Sequence, residues 1–210
     1  MTQHSWQQSF AAYIRPQVLG MSFLGFSAGL PFLLVFSTLS AWLRDTGVTL
    51  SVIGFFSWVG ITYSIKVIWA PVVDRLPLPF LTRLLGKRRS WMLLAQVGIA
   101  AGLMVLAELD PLSQIELIAI TAVGIAFCSA TQDIVIDAYR IESIEAEYQA
   151  AMAAMYVFGY RVALLVAGAG TFYIAEYIGW NAAYSAMALF MFIGMVTTLL
   201  SREPENQQDD

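Results

Sequence analysis

An all-α integral membrane protein of six transmembrane helices is the fold class this sequence predicts, and three observations carry that reading. Hydrophobic residues make up 59% of the 210 residues and charged ones only 12%. The mean hydropathy of +0.68 is far from that of an ordinary soluble domain. The apolar residues come in six runs of the roughly 20 residues needed to cross about 30 Å of hydrocarbon, and the charges gather between the runs. A buried soluble core is the competing reading. It would need polar faces on its surrounding helices, and these runs have almost none.

The first run, 18–43, carries Gly25 and Gly29 four residues apart, a small-residue face against which another helix approaches closely. Pro31 follows and favours a bend. The second run, 50–73, comes after the tight connection RDTGVT and contains Lys66. Between it and the third run, 91–108, lies DRLPLPFLTRLLGKRRS, with prolines at 77 and 79, an apolar patch and then Lys87, Arg88 and Arg89. This stretch reads as a short amphipathic piece on the membrane surface with its basic end near lipid phosphates, or as a plain topology-fixing loop. The fourth run, 113–138, contains SATQDIVIDAY. The fifth, 149–175, holds Arg161 and the glycines of GAG, 168–170, read by the same close-packing logic. The sixth, 181–200, leads into a polar tail. Three segments result: a leader at 1–17, a bundle at 18–200, and a tail or start of a linker at 201–210.

Basic residues orient the bundle. Arg15, Arg75, Arg83, Lys87, Arg88, Arg89, Arg140 and Arg202 fall on one side, and only Arg44 falls on the other. The positive-inside pattern places that side, and both termini, in the cytoplasm. The net charge of −4 comes largely from EPENQQDD and ESIEAEY and indicates no partner; nothing in the sequence suggests nucleic-acid binding. The single Cys128 excludes an internal disulfide and a cysteine-based metal site, and neither metal nor cofactor is expected. The lone His4 sits in the leader. No cleavable signal peptide is evident, since the first apolar run is too long and follows a polar leader.

Four ionisable residues lie inside the runs: Lys66, Asp133, Asp137 and Arg161. Each costs at least about 2.5–3.5 kcal/mol at the bilayer centre on the lenient insertion scale. From the rise of 1.5 Å per residue, Lys66 lies about 12 Å deep, Asp133 about 10 Å, Asp137 about 5 Å and Arg161 about 20 Å. Asp133 and Asp137 are four residues apart and share a helix face. Lys66 and Asp133 are at matched depth with opposite charge, and Arg161 is placed to join them from the next helix. The functional reading is a polar cluster on a water-filled path where a carboxylate binds and releases a proton, with Gln132 and Thr131 adding hydrogen-bonding capacity beside it. The structural reading is an ion pair that locks helices together, or cations that snorkel to the interface. A protease reading fails, because the two acids are stacked on one helix and no second acidic motif faces them.

The residues also carry a resemblance. GFSAGLPFLLVFSTLSAWLRDTGVTLSVIGFFSWVG, then KVIWAPVVDR, GKRRSWMLL and ATQDIVIDAY, in this order and nearly end to end across the six runs, resemble the AmpG muropeptide permease family of the major facilitator superfamily. The resemblance implies the N-terminal half of a major facilitator fold, two three-helix repeats that enclose a cavity only with a second half. It implies a proton symporter importing anhydro-muropeptides across the bacterial inner membrane. The family's fourth-span aspartates map onto Asp133 and Asp137, and its second-span lysine onto Lys66. Asp74 and Arg75 with Lys87, Arg88 and Arg89 resemble the superfamily's first cytoplasmic signature, with Ala70 where a glycine is usual and a longer gap before the basic triplet. The expected partners are muropeptide, protons, the bilayer, and a C-terminal half or second copy. The alternatives are a transporter of another solute such as acetyl-CoA, and a non-transporting half that assembles with or regulates a full permease.

Overall fold

A computed structural model describes residues 13–204. His4, the rest of residues 1–12 and the tail beyond 204 lie outside the described residues. Six membrane-length helical spans follow one another: Pro16–Asp45, Leu50–Ile68, Lys87–Glu108, Ile115–Glu142, Ala146–Tyr177 and Trp180–Leu200. The described residues contain no strand.

The first span is the packing centre, with 67% of its apolar window buried, against 11% for the second span and 22% for the fifth. It packs most extensively along the fifth, while the third lies between the fourth and the sixth. Gly25 and Gly29 set the close approach: a Cβ at Gly25 would strike the Tyr156 carbonyl, and one at Gly29 would meet the Tyr160 carbonyl and Ala163. The reciprocal contact comes from Gly159, where a Cβ would collide with the Ser22 carbonyl. The GAG stretch does not serve the close packing its composition suggested. A Cβ at Gly168 would meet only Leu33 Cδ1 at 3.4 Å. Instead Val166–Gly170 forms a π-helical turn, and Thr38 Oγ1 donates to the Ala167 carbonyl at 3.0 Å.

The spans predicted as continuous are interrupted. The first breaks at Phe36 (φ −113°, ψ −98°), between helices Pro16–Val35 and Ser37–Asp45, while Pro31 stays inside the helix. The buried Tyr184 hydroxyl of the sixth span donates to the Leu34 carbonyl at 3.0 Å beside that break. Irregular backbone is tolerated at membrane depth where such partners satisfy it. The second span tightens into 3-10 turns at Phe56–Trp58 and Lys66–Ile68, and a separate helix, Ala70–Arg75, follows. Pro71 lies in the first turn of that helix, where its missing N–H costs nothing.

The third span starts at Lys87, four residues before the predicted start, so Lys87, Arg88 and Arg89 form its first turn. The preceding segment holds only a five-residue helix, Leu81–Leu85, with no buried residue. Gly86 turns the chain between them at φ +90°, a left-handed conformation that favours glycine.

Candidate transport site

Lys66 and Asp133 come together across the second and fourth spans, with Lys66 Nζ 3.7 Å from Asp133 Oδ2 and side-chain exposures of 35% and 22%. The pair sits on the face that the second span leaves open. Three tyrosines surround the carboxylate: Tyr63 from the second span and Tyr156 and Tyr160 from the fifth each lie within electrostatic reach of Asp133. The Tyr156 and Tyr160 rings are in contact, 6.1 Å between centroids. Phe32, Phe36 and Tyr63 form an aromatic cluster with centroids 5.1–6.1 Å apart.

Asp137 lies within electrostatic reach of Asp133 and Tyr156 but does not share the lysine pairing. Its carboxylate faces Arg140 one turn on, at 3.7 Å, and its side chain is 60% exposed. Arg161 does not join the cluster; it is exposed and makes no ion pair among the described residues. Gln132 is also misplaced by its neighbourhood in sequence. Successive helix residues point about 100° apart, so Gln132 faces the core while Asp133 faces the open side. Its Nε2 donates to Ser27 Oγ at 2.8 Å, within a buried polar seam that continues through Gln96 to Thr198. Thr131 likewise turns away, accepting from Trp69 Nε1 at 3.2 Å and donating to the Phe127 carbonyl at 2.8 Å.

The basic signature forms a second site at the end where the third span begins. Arg88, only 7% exposed, bonds Asp74 Oδ1 at 2.7 Å through Nη1 and both Glu142 carboxylate oxygens at 2.9 and 2.5 Å. Lys87 Nζ donates to the Asp74 carbonyl at 2.9 Å. Arg89 reaches the end of the sixth span, donating to the Thr198 and Leu199 carbonyls. Arg75 is exposed and makes no ion pair among the described residues. Glu142 and Glu203 complete this network. The sequence flagged neither, because both lie in stretches that read as solvated acidic segments.

Six membrane-length apolar spans with a lysine–carboxylate pair bridging two of them define a multi-pass membrane protein. Comparison with known proteins gives the family: the Major Facilitator Superfamily model matches residues 15–210, and the chain belongs to that superfamily. It is 38% identical over 198 residues to the Anhydromuropeptide permease of Escherichia coli (strain K12), covering 94% of this chain and 40% of that protein. It is 34% identical over 184 residues to Putative transporter AmpG 4 of Rickettsia felis, covering 87% and 44%. It is also 34% identical over 194 residues to Putative transporter AmpG 3 of Rickettsia typhi, covering 92% and 46%. The chain thus spans less than half the length of these curated relatives.

Proposed function

We propose that this chain is the N-terminal half of a proton-coupled importer of anhydromuropeptides, with its basic end and both termini in the cytoplasm. The observation that carries the reading is the Lys66–Asp133 pair on the open face of the bundle. An ion pair at that depth, unsupported by further cations, is able to exchange partners. When Asp133 takes a proton, the pair loses its Coulomb attraction and Lys66 loses its counter-ion. A carboxylate on the substrate, such as a peptide offers, then becomes the favoured partner of Lys66, more strongly in a low-dielectric cavity than in water. Release of the proton returns Asp133 to Lys66 and displaces the substrate.

The weakly buried second and fifth spans support a second bundle packed against this one, since alternating access needs two bundles around one site. Trp58, Ile61, Ile65, Val157, Phe158 and Leu165 present large apolar side chains there. The C-terminal half, or a second copy, is the partner. The test is uptake of labelled anhydromuropeptide into vesicles carrying this chain with a C-terminal half, under an imposed proton gradient. Gradient-driven accumulation is expected; accumulation of acetyl-CoA instead, or of neither solute, overturns the reading.

A further inference from the structure

We propose that the hydroxyls of Ser129 and Tyr63 hold one water molecule against Oδ1 of Asp133, which makes Ser129 and Tyr63 positioning residues for the proton that Asp133 carries. The inference rests on the proton-carrier reading of Asp133 and adds to it. Six buried side-chain polar atoms lack a hydrogen-bond partner within the described protein, and three of them fall at this one place: Tyr63 OH, Ser129 Oγ and Asp133 Oδ1. Buried polar groups in native proteins are almost always satisfied by protein or ordered water, so three orphans together indicate a shared partner. Ser129, itself 1% exposed, lies one turn before Asp133 on the same helix face. Tyr63, on the second span, lies within interaction range of both. A bridging water is a partner that all three oxygens can share. Three polar partners also lie within the two to four that a buried water needs.

The two oxygens of Asp133 therefore have different tasks. Oδ2 faces Lys66, while Oδ1 is buried with no protein partner and is the oxygen left for the water. The other titratable groups facing the carboxylate are Tyr156 and Tyr160 from the fifth span and Asp137 on its own helix; none of them is among the orphaned atoms. In the transfer, the bridging water gives a proton to Oδ1 and takes one from a hydronium in the aqueous cavity. The balance is carboxylate plus hydronium to carboxylic acid plus water. Ser129 and Tyr63 keep their own protons and orient the water's oxygen and hydrogens. The protonated Oδ1 then donates to the same water, and Lys66 is released from Oδ2.

Infrared difference spectroscopy of the 210-residue chain in lipid nanodiscs, acid minus neutral, tests this. The expected spectrum shows a carboxyl C=O stretch and a strongly hydrogen-bonded water stretch that shifts in heavy-oxygen water. Both should vanish in Asp133→Asn. Ser129→Ala and Tyr63→Phe, each removing one hydroxyl and little volume, should keep the carboxyl band but move it to higher frequency and abolish the water band. If both variants leave the two bands unchanged, the water relay is overturned while the proton-carrier reading stands. If Asp133→Asn leaves the carboxyl band in place, both readings fall together. Should one variant fold poorly, the other decides alone.

Discussion

Glu203 caps the helix that begins at Lys87: its Oε1 accepts from the Arg88 N–H at 2.7 Å and its Oε2 from the Arg89 N–H at 3.0 Å. Three cations in a first turn oppose the helix macrodipole, which favours negative charge there. The Glu203 carboxylate supplies that charge and satisfies two of the N–H groups that a helix start leaves open. Arg89 answers from the same turn by capping the Thr198 and Leu199 carbonyls of the sixth span. The two ends hold each other, so the chain leaving the sixth span is tied to the start of the third.

Glu203→Ala is therefore expected to destabilise the bundle by about 1–2 kcal/mol, in the range of a lost helix cap. Glu203→Gln keeps one acceptor and should cost less. Denaturant unfolding in detergent, followed by circular dichroism, measures both; equal stability of all three proteins would show that the cap contributes nothing.

Arg88→Met removes the shared partner of Asp74 and Glu142 and should cost roughly 2–4 kcal/mol, below the fully buried range because both acids stay partly exposed. Arg88→Lys should recover only part, since an ammonium lacks the fork that serves two carboxylates. Adding Asp74→Asn and Glu142→Gln to Arg88→Met should restore stability, a non-additivity that a mutant cycle reads directly.

Glycine position decides the next contrast. Gly159→Ala drives a methyl group into the Ser22 carbonyl and should separate the first and fifth spans. Gly124→Ala meets nothing within 4 Å and should be neutral or stabilising by up to about 1 kcal/mol through helix propensity. Denaturant unfolding in detergent should show a loss of stability only in the first variant.

In the assembled transporter, Asp133→Asn should abolish gradient-driven uptake with insertion intact, because an amide cannot carry the proton. Asp137→Asn should have a milder effect, its carboxylate being open and paired locally with Arg140. Lys66→Met should weaken uptake at normal protein level. Wild-type accumulation by Asp133→Asn would remove the proton role from this residue.

The turn at Asp110 has its own pH dependence. The Ser113 hydroxyl and then the Leu112 N–H hold the Asp110 carboxyl below the usual carboxylate range. A depressed folded value stabilises the turn above the ordinary value and loses that contribution as the pH falls through the lowered one. Ser113→Ala should move the Asp110 carboxyl back toward its ordinary range, measured by carbon NMR of a selectively labelled aspartate.

The sequence alone determined that six spans cross a membrane, because hydrocarbon length and backbone satisfaction demand long apolar helices wherever they pack. It also determined which charges stand inside them, and the matched depth of Lys66 and Asp133 follows from residue counting along two helices. Facing is a different matter. Gln132 and Asp133 are neighbours in sequence, yet rotation about the helix axis sends one to the core seam and the other to the open face. Gly159 and the GAG stretch look alike as small residues, and only the contact with Ser22 tells which one carries the close approach. Arg161 has the depth to reach the cluster but not the direction. The partnership of Arg88 with Glu142, and of Glu203 with a helix start, joins residues 54 and 115 positions apart. No local periodicity encodes such contacts; they exist because packing brings the ends of the third, fourth and sixth spans to one place.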